Sequence, residues 1–344
     1  MKAVLVEEFG RAPRIAEVTE PECPPTGAIV RVHATGVCRS DWHAWMGHDE
    51  TMTAPFVPGH EFAGVVEQAG AEVTGFRVGD RVTAPFVYAC GSCEQCLAGD
   101  HQVCAHQEQP GFTLPGSFAE LVVVLEADVN LVALPDSLGF ADAAALGCRF
   151  ATSYRAVVTR GRVREGEWVA VHGCGGVGLS AIVIAVAAGA RVIGVDLSPD
   201  ALAAAERLGA IPVTGGEGAE DRIRDLTDGG AHLSIDAFGS AATSAASVRC
   251  LRRRGRHVQV GLMLGDNALA PMPMDAVIAY ELDILGSHGM AAHEYADMLA
   301  RIASGALSPA LTIGRTIGFD DLVPALMEMS GPPQSSGMTV ALLA

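Results

Sequence analysis

The stretch Val169-Ala170-Val171-His172-Gly173-Cys174-Gly175-Gly176-Val177-Gly178 constrains the fold of this 344-residue chain more than any other. An apolar, β-branched run ends in G-x-G-G-x-G and passes straight into a second apolar run, Leu179–Ala188. That order reads as buried strand, tight turn and helix. Gly173 permits the turn, Gly175 and Gly176 let backbone approach a ligand closely, and Gly178 lets the helix lie close on the strand. Val177 sits in the first helical turn, whose free N–H groups and positive dipole end suit a pyrophosphate. Asp196 closes the next strand about 20 residues on, where a carboxylate accepts hydrogen bonds from ribose hydroxyls and repels a 2′-phosphate. The segment therefore points to NAD(H) rather than NADP(H).

The texture around this motif repeats. Apolar runs at Trp168–His172, Arg191–Val195, Leu233–Ala237, His257–Val260 and Ile284–Leu285 lack polar alternation, and helical stretches at Leu179–Ala188 and Ala201–Leu208 separate the first of them. Such strands imply a doubly wound parallel sheet covered on both faces, an α/β arrangement. Before about Phe140 the pattern is different. Short β-like runs at Val4–Val6, Ala28–His33, Gly64–Val66 and Arg81–Thr83 are set off by Gly and Pro, as in a mostly β domain with long loops. The length of the chain exceeds what one core usually supports, so two domains are expected. A helix near Tyr295–Ile302 and a strand-like run at Met338–Leu343 should pack back on the first domain.

A formal net charge of −17 repels phosphate backbones and anionic lipid, which excludes nucleic acid and membrane surfaces as natural partners. Acidic Glu7 and Glu8 follow the short apolar start, and no apolar stretch is long enough to span a bilayer. A cytoplasmic protein is expected. In that reducing setting, the nine cysteines are better read as metal ligands, catalytic groups or small core residues than as disulfides.

Four of them form C-x2-C-x2-C-x7-C: Cys90, Cys93, Cys96 and Cys104. Two-residue gaps let sulfurs converge on one tetrahedral centre, and four thiolates leave no open position, which describes a structural zinc. Iron–sulfur ligation also uses C-x2-C-x2-C, but usually continues with three residues and Cys-Pro, unlike the seven residues before Cys104-Ala105 here.

Cys38, His60 and Cys148 are too scattered for spacing to unite them. Their surroundings, Gly36–His43, Gly59–Gly64 and Gly147–Thr152, together with Cys90–Cys104 and Gly173–Gly178, resemble the zinc-dependent medium-chain alcohol dehydrogenases over essentially the whole chain. The resemblance implies a GroES-like, mostly β catalytic domain (residues 1–146 and 287–344) interrupted by a Rossmann domain (147–286), assembled as a homodimer or homotetramer. It implies two Zn2+ ions per chain. Cys38, His60 and Cys148 would hold a catalytic zinc with an open fourth position, an arrangement that is itself the standard example for alcohol dehydrogenases. Glu61 resembles an acid beside the metal that in some members ligates it, and Asp41 a carboxylate that orients the ligand histidine. Ser40 and His43 match a proton relay. Arg39 matches a pyrophosphate contact and Thr152 a residue near the nicotinamide. Phe86 falls where the family places an aromatic wall of the substrate pocket, and Trp45 and Leu262 are expected as further walls.

The implied activity is hydride transfer between NAD(H) and a primary or secondary alcohol or the matching aldehyde or ketone, since zinc lowers the pKa of a bound alcohol. A polyol or amino-alcohol dehydrogenase of the same family is the alternative, disfavoured by Cys148, where polyol members commonly carry an acid. From another class, a non-catalytic zinc-ribbon binding protein would need only the four-cysteine loop. Two departures from the family remove positive charge near the dinucleotide. Met338 stands where many members have an arginine, and no basic residue follows Asp196 within Leu197–Ala201. Looser NAD binding is expected from them.

Overall fold

The computed structural model describes residues 1–49, 52–331 and 336–343. Fifteen strands are assigned among them. The first part of the chain supplies β1 (Lys2–Leu5), β2 (Arg14–Glu17), β3 (Ala28–Val37), β4 (Phe62–Ala69), β5 (Arg81–Thr83), β6 (Leu121–Val124) and β7 (Val132–Ala133). The middle supplies β8 (Trp168–His172), β9 (Arg191–Asp196), β10 (Ile211–Thr214), β11 (Ala231–Asp236), β12 (Leu251–Gln259) and β13 (Asp283–Gly286), and the tail β14 (Ile313–Gly318) and β15 (Met338–Leu342).

One sheet runs β14-β15-β3-β4-β5-β7, with β6 also paired to β3. All its ladders are antiparallel except β14–β15. The long β3 alternates less than an ordinary half-exposed strand, because nearly all of it is buried. The tail thus enters the first sheet directly: Thr339 pairs with Val37, the residue before Cys38.

The second sheet is wholly parallel, in the order β10-β9-β8-β11-β12-β13. In sequence order this is 3-2-1-4-5-6, the arrangement of doubly wound dinucleotide-binding sheets. Both faces are covered, as the alternation along β8 shows. Val169 and Val171 join one core with Leu179, Ile182 and Val183 of the helix Gly176–Ala187, whereas Ala170 joins another with Ile193, Ile223 and Val248. No helix among the described residues is long and apolar enough to cross a membrane.

Two strands differ from the reading of the sequence. β12 begins at Leu251 rather than His257, because its run of arginines is spent on partners: Arg252 donates to the Gly230 carbonyl, Arg254 pairs with Glu281 and Arg256 with Glu167. β10 carries Pro212, which an edge strand tolerates.

Candidate metal centre and dinucleotide site

Three separate pieces of backbone meet at the turn Leu146–Phe150, which touches β4 of the first sheet and the helix Gly176–Ala187 that covers the second. β3 ends at Val37, so Cys38 becomes the N-cap of the short helix Arg39–Trp45. His60 and Glu61 lead into β4. Cys148 lies in a π-helical turn, Leu146–Phe150, between two α-helical pieces; such turns widen the spacing of side chains and gather at functional sites. One ligand atom from each of Cys38, His60, Glu61 and Cys148 lies within 4.8 Å of the others.

The group is held from behind. Asp41 is fully buried and accepts three hydrogen bonds: from His60 Nδ1 at 2.8 Å and Gly59 N at 3.1 Å on Oδ1, and from Cys38 N at 2.9 Å on Oδ2. With Nδ1 fixed, Nε2 of His60 faces the sulfurs, buried and without a hydrogen-bond partner. A buried polar atom left in that state is costly unless something completes it. Two thiols and an imidazole with an orphaned nitrogen suit zinc, and the residues present fit that ion.

The electrostatics agree. Burial opposes a charge on His60, but the Asp41 carboxylate and the Cys38 sulfur outweigh it and raise the imidazole pKa well above its ordinary value. A hydrogen bond from Cys148 holds the Cys38 thiol well below the usual range, with Arg149 and His60 assisting against burial. The same bond, with burial, raises Cys148 well above it. The pocket thus favours a thiolate and, against it, a positive charge, the pattern a divalent cation satisfies.

Glu61 does not face the sulfurs alone. Its Oε1 accepts from Arg149 N and Nε, both at 2.9 Å, and its Oε2 from Arg149 Nε at 3.0 Å and from Nη2. Both residues are buried, and burial raises the Glu61 pKa although Arg149 opposes it. The pair lies over Gly36, where a Cβ would sit 2.1 Å from Glu61 Oε2, so no other residue fits there without displacing it.

Aromatic rings enclose His60: Phe86 at 6.2 Å and Phe112 at 5.5 Å between centroids, both edge-on. Phe86 also meets His288 edge-on at 5.1 Å, and His288 Nδ1 contacts the Gln102 carbonyl at 3.0 Å. Trp45 needs a correction. It is 4% exposed, packed with Val4, Val6, Phe56 and Leu326, and its indole N–H is spent on the Arg11 carbonyl, so it belongs to the core rather than to a pocket wall. Leu262 is half exposed, with its backbone against Gly239. Phe112, Arg149 and His288 escaped the sequence reading, since nothing in their spacing announces what they touch.

On the helix Arg39–Trp45, Ser40 is half-buried and His43 approaches His48, Nδ1 to Nδ1, at 2.9 Å. Burial, with His48 and Arg39 nearby, pulls the His43 pKa down to about 4. Arg39 stacks 4.9 Å over the Trp42 ring and donates to the Met329 carbonyl. Thr152 is buried, and its hydroxyl has no partner.

At the glycine turn, Gly173 has φ +89°, and a Cβ on Gly178 would lie 1.7 Å from the Gly173 carbonyl oxygen. Gly175 caps the helix Gly176–Ala187 and faces open space, with nothing within 4 Å of a Cβ there. Val177 is half-buried, and its carbonyl accepts from the Ser153 hydroxyl at 2.8 Å. Asp196 accepts from Cys174 N at 2.7 Å and from Ser198 N at 2.9 Å, which ties the turn to the end of β9. The turn is a cradle that a dinucleotide fits, with first-turn N–H groups lacking partners within the helix.

Away from this centre, Cys90, Cys93, Cys96 and Cys104 form a second group of four donors. Sulfur separations are 3.4 Å (Cys93–Cys96), 3.5 Å (Cys90–Cys104), 3.7 Å (Cys93–Cys104) and 4.0 Å (Cys90–Cys96). A tetrahedron with metal–sulfur bonds of about 2.3 Å has edges of about 3.8 Å. Backbone N–H groups of Cys90 and His106 point at Cys104 Sγ, and hydrogen bonds from Ser92 pull the Cys90 thiol down to about 6. All nine cysteines are free of disulfides.

A doubly wound sheet whose glycine turn adjoins a buried set of sulfur and imidazole donors defines a metal-dependent oxidoreductase. Comparisons with known proteins make this specific. Residues 24–136 match the alcohol dehydrogenase GroES-like domain and residues 176–304 the zinc-binding dehydrogenase domain. An alcohol dehydrogenase of Geobacillus stearothermophilus is 36% identical over 291 residues, 83% of this chain and 84% of the relative. A D-arabitol-phosphate dehydrogenase of Enterococcus avium is 32% identical over 298 residues, 85% of this chain and 83% of the relative. The solved structure of the alcohol dehydrogenase TADH from Thermus sp. ATN1 superposes with a TM-score of 0.90 at 32% identity, covering 100% of both chains. The chain belongs to the zinc-dependent medium-chain alcohol dehydrogenase family, and with it to the enzymes rather than to the zinc-ribbon binding modules.

Proposed function

We propose that this protein transfers hydride between NAD(H) and a primary or secondary alcohol, or the corresponding aldehyde or ketone, at a site that takes zinc on Cys38, His60 and Cys148. The observation that carries this reading is the convergence of those side chains and Glu61 around a buried, unpartnered His60 Nε2. When bound, zinc supplies a Lewis acid for the substrate oxygen and the nicotinamide a hydride carrier.

The protein's own residues do the rest. Asp41 fixes the tautomer of His60, which keeps Nε2 available to the metal. Phe86 and Phe112 present ring edges beside His60, shielding the site from water and giving an alcohol's carbon chain an apolar surface. Ser40 and His43 carry the proton to and from the substrate oxygen. With its pKa near 4, His43 is neutral at physiological pH, so the uncharged ring passes a proton on rather than holding it. The turn Gly173–Gly178 receives the pyrophosphate, Arg39 turns from the Met329 carbonyl to donate to it, and Thr152 flanks the nicotinamide. Asp196 takes the adenosine ribose and disfavours a 2′-phosphate. The four-cysteine loop takes the second zinc and stays closed.

The experiment is a metal analysis joined to an NAD-linked activity screen over primary, secondary, aromatic and polyhydric alcohols. Two zincs per chain and turnover of simple alcohols support the reading. Turnover confined to polyols would move the enzyme to the polyol branch, and one zinc with no turnover would overturn it. We propose further that the protein works in the cytoplasm as a homodimer or homotetramer; light scattering tests the assembly.

A further inference from the structure

Arg149 is the feature that neither the metal centre nor the glycine turn explains by itself. It is 6% exposed, yet it reaches both. Its Nε and Nη2 engage Glu61 side-on, so the guanidinium's remaining nitrogen, Nη1, points away from the carboxylate. Among the described residues Nη1 has no hydrogen-bond acceptor, and unlike His60 Nε2 it is not both unpartnered and sealed from solvent. It lies 3.3 Å from the place where a Cβ on Gly176 would sit, and Arg149 Cδ lies 2.7 Å from that place. Met338 Cγ is 3.3 Å from the same place, so the neighbouring wall is apolar. The guanidinium therefore faces the first turn of the helix Gly176–Ala187, beside the open space in front of Gly175.

We propose that Arg149 is a cofactor-binding residue: Nη1 donates to the dinucleotide's pyrophosphate while Nε and Nη2 hold Glu61. This rests on the dinucleotide reading of the glycine turn. One cation then serves two anions, and a charged donor already fixed by a buried partner loses little freedom when the phosphate arrives. It also links the two halves of the site, since the side chain that restrains Glu61 beside the metal is the one the cofactor contacts.

The test uses ADP-ribose, which carries the pyrophosphate without the nicotinamide, in isothermal titration calorimetry on the zinc-loaded protein. Removing Arg149 alone would strand Glu61, so the main variant is the pair Glu61→Gln/Arg149→Met, with Glu61→Gln as its control. Glu61→Gln should keep the ADP-ribose dissociation constant within about threefold of wild type, while the double variant should weaken it about tenfold. Arg149→Lys keeps the charge but cannot serve both anions at once, and should weaken binding by a comparable factor; it decides the matter should the double variant not fold. A folded double variant, or Arg149→Lys, that binds ADP-ribose like wild type overturns the assignment. Wild-type protein that fails to bind ADP-ribose overturns the dinucleotide reading itself, a result distinct from an Arg149 variant matching wild type.

Discussion

Asp41 and His60 share a hydrogen bond of 2.8 Å between two fully buried side chains, and its direction decides which imidazole nitrogen faces the sulfurs. Asp41 also takes the backbone N–H groups of Cys38 and Gly59, so one carboxylate positions both Cys38 and His60. Asp41→Ala should therefore lower zinc affinity at this centre by about 10–100-fold. Competition with a chelating dye measures it, and an affinity unchanged from wild type would show that the packing alone sets the histidine.

Glu61 and Arg149 are a buried ion pair, and breaking it differs from removing it. Arg149→Met leaves the carboxylate uncompensated and should cost about 3–5 kcal/mol of stability, whereas Glu61→Gln/Arg149→Met should cost far less. Urea denaturation of both variants gives the comparison. Equal losses would mean that the packing of Arg149, not its charge, matters.

Histidine 43 makes stability depend on pH in a defined direction. Its folded pKa of about 4 lies below the ordinary value of 6.5, so the unfolded chain binds the proton first. Its contribution is fully present above pH 6.5 and is lost as pH falls toward 4. In His43→Asn, the fall in denaturation midpoint between those values should be shallower than in wild type. NMR titration of the ring gives the pKa directly, and a value near 6.5 would refute the prediction.

Two glycines of one turn should respond oppositely to the same methyl group. Gly178→Ala places a carbon 1.7 Å from the Gly173 carbonyl oxygen and must push the helix off the strand, with a loss of several kcal/mol. Gly175→Ala meets nothing within 4 Å at φ −81°, so the fold should keep its stability to within about 0.5 kcal/mol. Any cost of Gly175→Ala should appear in NADH titration instead. Thermal unfolding of the pair separates the two effects.

Zinc removal should act on the four-cysteine loop as an unfolding event confined to it. Cys104 is buried with Cys96 in a small cluster lined otherwise by Ala89, Cys90, Cys93 and Val129, too few apolar groups to hold the loop unaided. Cys104→Ser should lose one zinc per chain and expose residues 90–104 to hydrogen exchange. Retained protection would mean that the loop folds without the ion.

Much of this architecture was legible because it is written locally. The strand–turn–helix at Val169–Gly178 and the spacing of Cys90 to Cys104 are contiguous, and each implies its geometry without the rest of the chain. In the sequence, Met338 and the stretch Leu197–Ala201 show only two missing cations, which points to looser NAD binding. The structure sets Arg149 against Gly176 beside Met338, and that proximity depends on a π-helical turn no periodicity reveals. The arginines hid the start of β12 for a related reason: their partners, the Gly230 carbonyl for Arg252 and the acids Glu281 and Glu167 for Arg254 and Arg256, are distant in sequence. Trp45 misled in the opposite sense, since lying near a motif does not tell a side chain which way to turn.

The placement of β15 between β14 and β3 has a consequence for biosynthesis. Every strand of the parallel sheet is made in one uninterrupted span, so that unit is free to collapse while the ribosome is still working. The sheet that presents Cys38 must wait for Met338–Leu342, which pairs against the residues just before that cysteine. A nascent chain therefore has its cofactor platform assembled before its metal centre is bordered on all sides, and the ion is best retained only once translation has passed the last strand.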